Sequence, residues 1–427
     1  MIIIIRNFLS LIIILFISIS CFAQQKADTI IFNLDQAESF FLSNNLQLLA
    51  QQYSIDSAKA NIITARLYDN PVFSYSNGLY NTATKKLLDL SAANWESSSQ
   101  LNQLIRTAGK RNKTILLMQT GAKIAEFQFY DLLRTLRFTL RDDFFKIYYL
   151  RQSAKLYNKE ILSLQRTSTA FEEQFQKGNI AKKELIRIKS QLYSLQTELV
   201  NLQNNIDDVE SEFKLLLRIK ADAFIIPLIT LISDKNDLIK EISYQSLLDS
   251  AYKNRYDLKI AESNIEFNRR NIQLQKSLAV PDITLGFSYD RLGSYIKNFN
   301  SIGFSIPLPV FNRNQGNIKQ AGAMLESAKL QLAGKKNQLE SEVANRYQGA
   351  IRAEKLLNSF DPKFESDFDF LIGEVLKNYE RRNLTLIEFI DFYEAYKQNV
   401  LQLNNLKYNR ISQLEQLNYT TGTHLFN

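Results

Sequence analysis

Apolar residues fall three and four apart, without a slip, at Leu185, Ile188, Leu192, Leu195, Leu199, Leu202, Ile206, Val209, Phe213 and Leu216. A strict 3.5-residue period predicts a long helix whose seam must wind left-handedly against partner helices. Leu386, Phe389, Tyr393, Tyr396, Val400 and Leu403 repeat the rhythm near the end of the chain. Elsewhere the period drops to two. Ile283, Leu285, Phe287 and Tyr289 alternate with polar or small residues, and Ile302, Phe304 and Ile306 do so on the return across DRLGSYIKNFN. Phe73 and Tyr75 open another strand, and its return runs from Trp95 to Ile105 with Glu96, Ser98, Gln100 and Asn102 along one face. This alternation predicts strands at about 71–80, 95–105, 281–290 and 300–307.

Breakers frame these elements. The chain has only 13 glycines and 6 prolines, with no proline between Val72 and Ile226, so long helices meet no obstacle there. Pro71 and Pro281 stand where strands begin, while Pro307 and Pro309 remove ladder donors where the last strand must stop. Helical runs are expected from Lys110 to Lys177 and from Asn317 to Arg381, each reaching about 100 Å if continuous. Pro362 predicts a break in the second, hence stacked helices rather than one rod. The chain also repeats itself. Residues 43–76 align with 253–288, Pro71 falling on Pro281, and FQKGNIAKKEL (175–185) aligns with YERRNLTLIEF (379–389). The expected organisation is a first unit at 24–221, an irregular linker at 222–241 and a second unit at 242–427. Each unit reads helix–strand–strand–long helix–helix, a mainly α chain with a small β part.

Strands with one apolar and one polar face suit a transmembrane barrel, and on pattern alone they suit a soluble hairpin equally well. Two observations favour the barrel. Four strands cannot close one alone, which calls for further copies of the chain. The first 23 residues carry Arg6, the run FLSLIIILFISIS and then CFA, which reads as an export signal. An uncleaved anchor is the disfavoured alternative, because the apolar core is short and contains serines. Cys21, the only cysteine, is either lost with the leader, the preferred reading, or lipid-modified. No later segment is apolar enough for a second membrane helix.

The formal charge of +8 is spread through mixed-sign helices. Its densest patch, KKELIRIK (182–189), reads as a solvated helix face rather than a nucleic-acid site. Catalysis finds no support. The single histidine, His424, lies in the last four residues and reads as part of a frayed tail. No Ser-His or Cys-His pair, no metal cluster and no cofactor motif is expected; AGKRNKT (108–114) lacks the glycine and Lys-Ser/Thr pair of a phosphate loop. Trp95 fits a barrel rim or a core equally well.

Taken in order and in duplicate, the NP and VPD lead-ins to the strands, IRTAGKRNK (105–113), IPLPVFNRNQGNIKQA (306–321), KGNIAKKELIRIKSQL (177–192) and EQLNYTTGT (415–423) resemble the TolC family of outer-membrane efflux and secretion ducts. The resemblance runs from about Phe32 to Gly422. It implies a homotrimer whose chains donate four strands each to one twelve-stranded barrel in outer-membrane lipid. A helical coiled-coil tunnel would cross the periplasm to a periplasmic adaptor and an inner-membrane pump. It would be a passive channel, not an enzyme, for small molecules, ions or secreted polypeptides. A soluble periplasmic adaptor or spacer is the alternative class. The resemblance places adaptor-docking tips at about 177–181 (Gly178, Asn179, Ile180, Ala181) and 381–385 (Arg382, Asn383, Leu384, Thr385). Gly178 is expected to take the positive φ that ends a helix; Arg382 stands where the family has glycine, so Asn383 is expected to supply that conformation. Glu388 and Asp391, three apart on one helix face, would form an acidic gate, with Glu184 a weaker candidate because Arg187 follows it. Pro71, Gly109, Pro281, Pro307 and Pro309 would mark the junctions between barrel and helices.

Overall fold

The computed structural model describes residues 29–91, 93–229, 239, 242–292, 296–361, 363–381 and 383–426. The expected leader with Cys21, most of the expected linker, Pro362 and Arg382 lie outside the described residues. The elements are β1 (Thr29–Phe32), α1 (Leu34–Asn44), α2 (Leu46–Arg66), β2 (Val72–Asn77), β3 (Tyr80–Asn81), β4 (Lys86–Leu87), β5 (Ser97–Ile105), α3 (Lys110–Gln176) and α4 (Lys182–Leu217). They continue with β6 (Phe224–Pro227), α5 (Tyr244–Asn254), α6 (Tyr256–Leu278), β7 (Ile283–Asp290), β8 (Phe299–Ser305), α7 (Gln315–Asn358), α8 (Phe364–Glu380) and α9 (Leu386–Thr421). The protein is mainly helical.

The first long run is one unbroken helix: α3 holds 67 residues, about 100 Å at 1.5 Å per residue. The second is two, with α7 ending at Asn358 and α8 starting at Phe364. Internal contacts divide the chain into two units, Met1–Ser43 with Asp143–Asp234, and Asn44–Asp142 with Lys235–Asn427.

In the first unit the heptad seam of α4 is the core. Leu185, Ile188, Leu192, Leu195, Ile206, Val209, Phe213 and Leu216 are buried, and Leu199 and Leu202 are half-buried. Phe144 of α3 meets Phe213 with ring centroids 6.3 Å apart. A short parallel pair closes this unit, Thr29 opposite Phe224 and Phe32 opposite Pro227.

In the second unit Leu247, Ala251, Leu258, Leu339, Val343, Leu414 and Leu417 gather α5, α6, α7 and α9 around one apolar cluster. Beside it Arg255, between α5 and α6, donates to both oxygens of Asp257 at 2.9 and 2.6 Å and to Glu342 of α7 at 2.5 Å. Burial opposes both charges, yet the guanidinium–carboxylate hydrogen bonds prevail, holding Arg255 above and Asp257 below their ordinary ranges. The second unit also holds a four-stranded antiparallel sheet in the order β2–β5–β7–β8.

Candidate functional site

The sheet register sorts residues onto two unlike faces. Phe73, Leu101, Phe287 and Ile302 form one row of directly paired positions. Leu285 pairs with Phe304, and Ile105 with Ile283, on that same face. Most of these side chains stand in the open, Ile302 86% exposed and Phe304 75%, while Ile283 is half-buried. The opposite face carries the row Ser74, Gln100, Ser288 and Ser301. Its hydroxyls satisfy one another across strands, Ser76 with Ser98 at 2.7 Å and Ser288 with Ser301 at 2.6 Å. Among the described residues β2 and β8 each have one strand partner, so both edges are open. Near the loops between strands, Trp95 is half-buried, donates from its indole N–H to Asn77 Oδ1 at 3.0 Å, and lies 4.3 Å beneath the Arg291 guanidinium.

At the other end of the strands, polar side chains bind the junctions together. Pro71 directly precedes β2, Pro281 stands two residues before β7, and Pro307 and Pro309 follow β8 in irregular chain. Between β5 and α3 the chain turns at Ala108 (φ 53°) and Gly109 (φ 68°), two successive left-handed residues. That turn aims Thr107 and Lys110 at the segment leading into β7. The Thr107 N–H donates to Asp282 Oδ1 at 2.8 Å and its hydroxyl to the Pro281 carbonyl at 2.6 Å. Lys110 Nζ, buried, donates to Asp282 at 2.7 Å and to the Val280 carbonyl at 2.6 Å. On the other side Arg106 grips Asp69 through two bonds of 2.8 and 2.7 Å. Asn314, left-handed at φ 58°, starts α7 and donates to the Gln275 carbonyl at 2.7 Å. Sequence reasoning named the prolines and Gly109 and missed Asp69, Arg106, Thr107, Lys110 and Asp282. The available signal was an acidic residue beside each lead-in proline, in DNP and PD, with RTAGK between.

The hairpin tips differ from one another. Gly178 has φ 73°, its N–H donates to Phe175 O at 2.9 Å, and the Asn179 N–H reaches back to Gln174 O at 2.9 Å, a Schellman closure of α3. Ile180 follows, and Ala181 starts α4 without a side-chain cap. At the second tip the Asn383 N–H donates to Asn378 O at 2.9 Å, as Asn179 does to Gln174. Asn383 is not among the described residues with positive φ. It takes the place of Asn179, one residue beyond the left-handed position, which corrects the expectation placed on it; Arg382, which aligns with Gly178, lies outside the described residues. Leu384 is half-buried.

Thr385 caps α9 in a reciprocal box: its Oγ1 accepts from the Glu388 N–H at 3.3 Å, and Glu388 Oε2 accepts from the Thr385 N–H at 2.8 Å. That backbone hydrogen bond, with the one from the Thr385 hydroxyl, holds the Glu388 carboxylate below its ordinary range. Asp391, one turn on, is exposed. Glu184 is half-buried in the first turn of α4, with Arg187 exposed. The C-terminal tail is tied down rather than frayed. Asn418 Oδ1 accepts from the N–H groups of Leu425 and Phe426 at 2.8 and 3.0 Å, Phe426 is buried, and His424 Nε2 meets Arg137 at 3.0 Å.

Long helices together with a two-faced, open-edged sheet make up a fold that is found in outer-membrane channels. The structure of VceC from Vibrio cholerae superposes with TM-score 0.71 at 17% identity, over 92% of this chain and 97% of that one. CusC gives 0.72 at 17%, over 94% and 96%, and a membrane protein from Pseudomonas aeruginosa 0.73 at 16%, over 91% and 92%. In sequence, residues 247–358 match the family model described as outer membrane efflux protein. The chain therefore carries an outer membrane efflux protein domain across α5 to α7, and the TolC-type resemblance read from its motifs is borne out. The cobalt-zinc-cadmium resistance protein CzcC of Cupriavidus metallidurans is 23% identical over 291 residues, which cover 67% of this chain and 65% of the relative.

Proposed function

We propose that the chain is one protomer of a passive exit duct in the outer membrane of a Gram-negative cell, reaching into the periplasm. Three copies pair β8 of one chain with β2 of the next to close a twelve-stranded barrel. The two repeats, 24–221 and 242–427, each contribute two strands and a helical hairpin to the tunnel below. The observation that carries this reading is the sheet: its apolar face is largely exposed and, among the described residues, both its edges are unpaired, an arrangement that water punishes and a lipid-embedded barrel satisfies. Lipid meets Phe73, Leu101, Phe287 and Ile302, and water meets the serine face.

In this reading the tips at Gly178–Ala181 and Arg382–Thr385 dock a periplasmic adaptor that recruits an inner-membrane pump, and the pump supplies the energy. Glu388 and Asp391 from three copies place six carboxylates around the periplasmic mouth, favouring cations, with Glu184 a lesser contributor. The name of the CzcC relative makes divalent cobalt, zinc and cadmium the first cargo to test.

Light scattering of the detergent-extracted particle, with the detergent subtracted, tests the assembly. Three chains per particle are expected. A monomer that stays in solution without detergent would overturn the duct in favour of a soluble periplasmic spacer.

A further inference from the structure

The duct reading places carboxylates at the periplasmic mouth and says nothing of how the barrel wall itself treats charge, on which the strand register bears directly. The serine face comprises alternate residues of all four strands, every one of them described. From the helix end outward its rows run Leu104–Thr284–Ser305, then Val72–Asn102–Gly286–Gly303, then Ser74–Gln100–Ser288–Ser301. None of these carries a charge. The outermost paired row, Ser76–Ser98–Asp290–Phe299, brings the paired positions of this face their single charged side chain, Asp290; Glu96, in the same alternation, stands just before β5 and outside the ladder.

The neutral groups are held in place. Gln100 Nε2 donates to Asn102 Oδ1 at 3.1 Å, and a Cβ on Gly286 would come within 2.8 Å of that same oxygen. The Asn102 oxygen occupies the space over the glycine, where any side chain would have to displace it. Hydroxyls and carboxamides offer a hydrated ion of either sign a hydrogen-bonding wall with no net field.

We propose that the inner wall of the barrel is electrically neutral over these three rows and that Asp290 is the residue of the wall that discriminates by charge. Three copies set a ring of carboxylates at the outer end, and cargo of either sign traverses the rows beneath it. This inference rests on the duct reading.

Cysteine labelling tests it in the assembled protein. Cys21 is the only native cysteine and is replaced by alanine. Ser288→Cys and Ser98→Cys are then each treated from outside with a cationic and an anionic methanethiosulfonate, and label is read by mass. At Ser288 the ratio of the two rates, each taken relative to its rate with a free thiol, should lie within about two-fold of unity. At Ser98, opposite Asp290, the cationic reagent should be ahead by about three-fold or more, and Asp290→Asn should abolish that lead. A preference of about ten-fold at Ser288, or a lead at Ser98 that survives Asp290→Asn, would overturn the proposal. Phe287→Cys separates the two levels. If it labels as fast as Ser288→Cys, both faces are wet and the duct reading falls, taking this inference with it.

Discussion

In the proposed duct Glu388 would serve structure and conduction at once. Its carboxylate closes the capping box with Thr385, and it also stands one turn from Asp391 at the proposed mouth. The two roles separate by substitution. Glutamine at the third helical position can still accept from the Thr385 N–H, whereas alanine cannot. Glu388→Gln should leave amide-exchange protection of the first turn of α9 intact while lowering the cation preference of single-channel conductance, and Glu388→Ala should lower both. Equal conductance in Glu388→Gln and the parent would remove Glu388 from the gate. Asp391 has no such second duty, so its effect should be confined to conduction.

Asp257 carries a pH dependence whose sign follows from its environment. Its folded-state pKa lies below the ordinary 3.8, so its contribution to stability is present above that value and is lost as pH falls through the folded value. Thermal unfolding in detergent should therefore show a loss below about pH 4 that Asp257→Asn lacks, because the variant has already given up the charge. The two curves running parallel down to pH 2 would refute the assignment.

Among the elements, the junction of β5, α3 and β7 is one place where segments far apart in the chain are fastened together. Lys110 keeps only 6% of its side chain exposed and Asp282 25%. Asp282→Ala strands a buried ammonium with only the Val280 carbonyl beside it and should cost about 3 kcal/mol, the scale for removing one partner of a buried pair. Lys110→Met should cost less, because the Thr107 N–H still serves Asp282 and the methionine stem fills the same space. Melting temperatures followed by circular dichroism give the order; a larger loss in Lys110→Met would contradict it. The legibility of these elements was uneven. The heptads of α4 and the alternation in β7 and β8 could be read directly, because burial on one side repeats along a regular backbone. The small hairpin of β3 and β4 went unread: it is made by side-chain turns, with Asn81 Oδ1 accepting from the N–H groups of Ala83 and Thr84, and not by any apolar period.

For the molecule as a whole, the sheet makes the sharpest demand. Ile302 and Ser301 are neighbours on opposite faces. In a lipid-facing barrel, Ile302→Lys should cost about 2–4 kcal/mol near the bilayer midplane, and Ser301→Lys, facing water, close to nothing. Assembly into heat-resistant particles in the outer membrane measures the difference. Equal yields of the two variants would mean that neither face meets lipid.

Which residues lie inside, which strands have two faces and where the long helices stop are local properties. They are written in periods of 3.5 and 2 and in the placement of thirteen glycines and six prolines, so the chain carried them without help. The partners that hold those elements together were another matter. Thr107 and Asp282 are 175 positions apart, and nothing in either segment marks them as a pair. Hydrogen bonds and ion pairs depend on a few tenths of an ångström and on a direction, and only the folded backbone supplies both. The same holds for Asn418, whose three bonds to the tail turned an expected loose end into part of the core. Periodicity specifies faces, because burial is a property of every residue along an element; tertiary structure chooses partners, because a polar contact belongs to two residues that the chain order keeps apart.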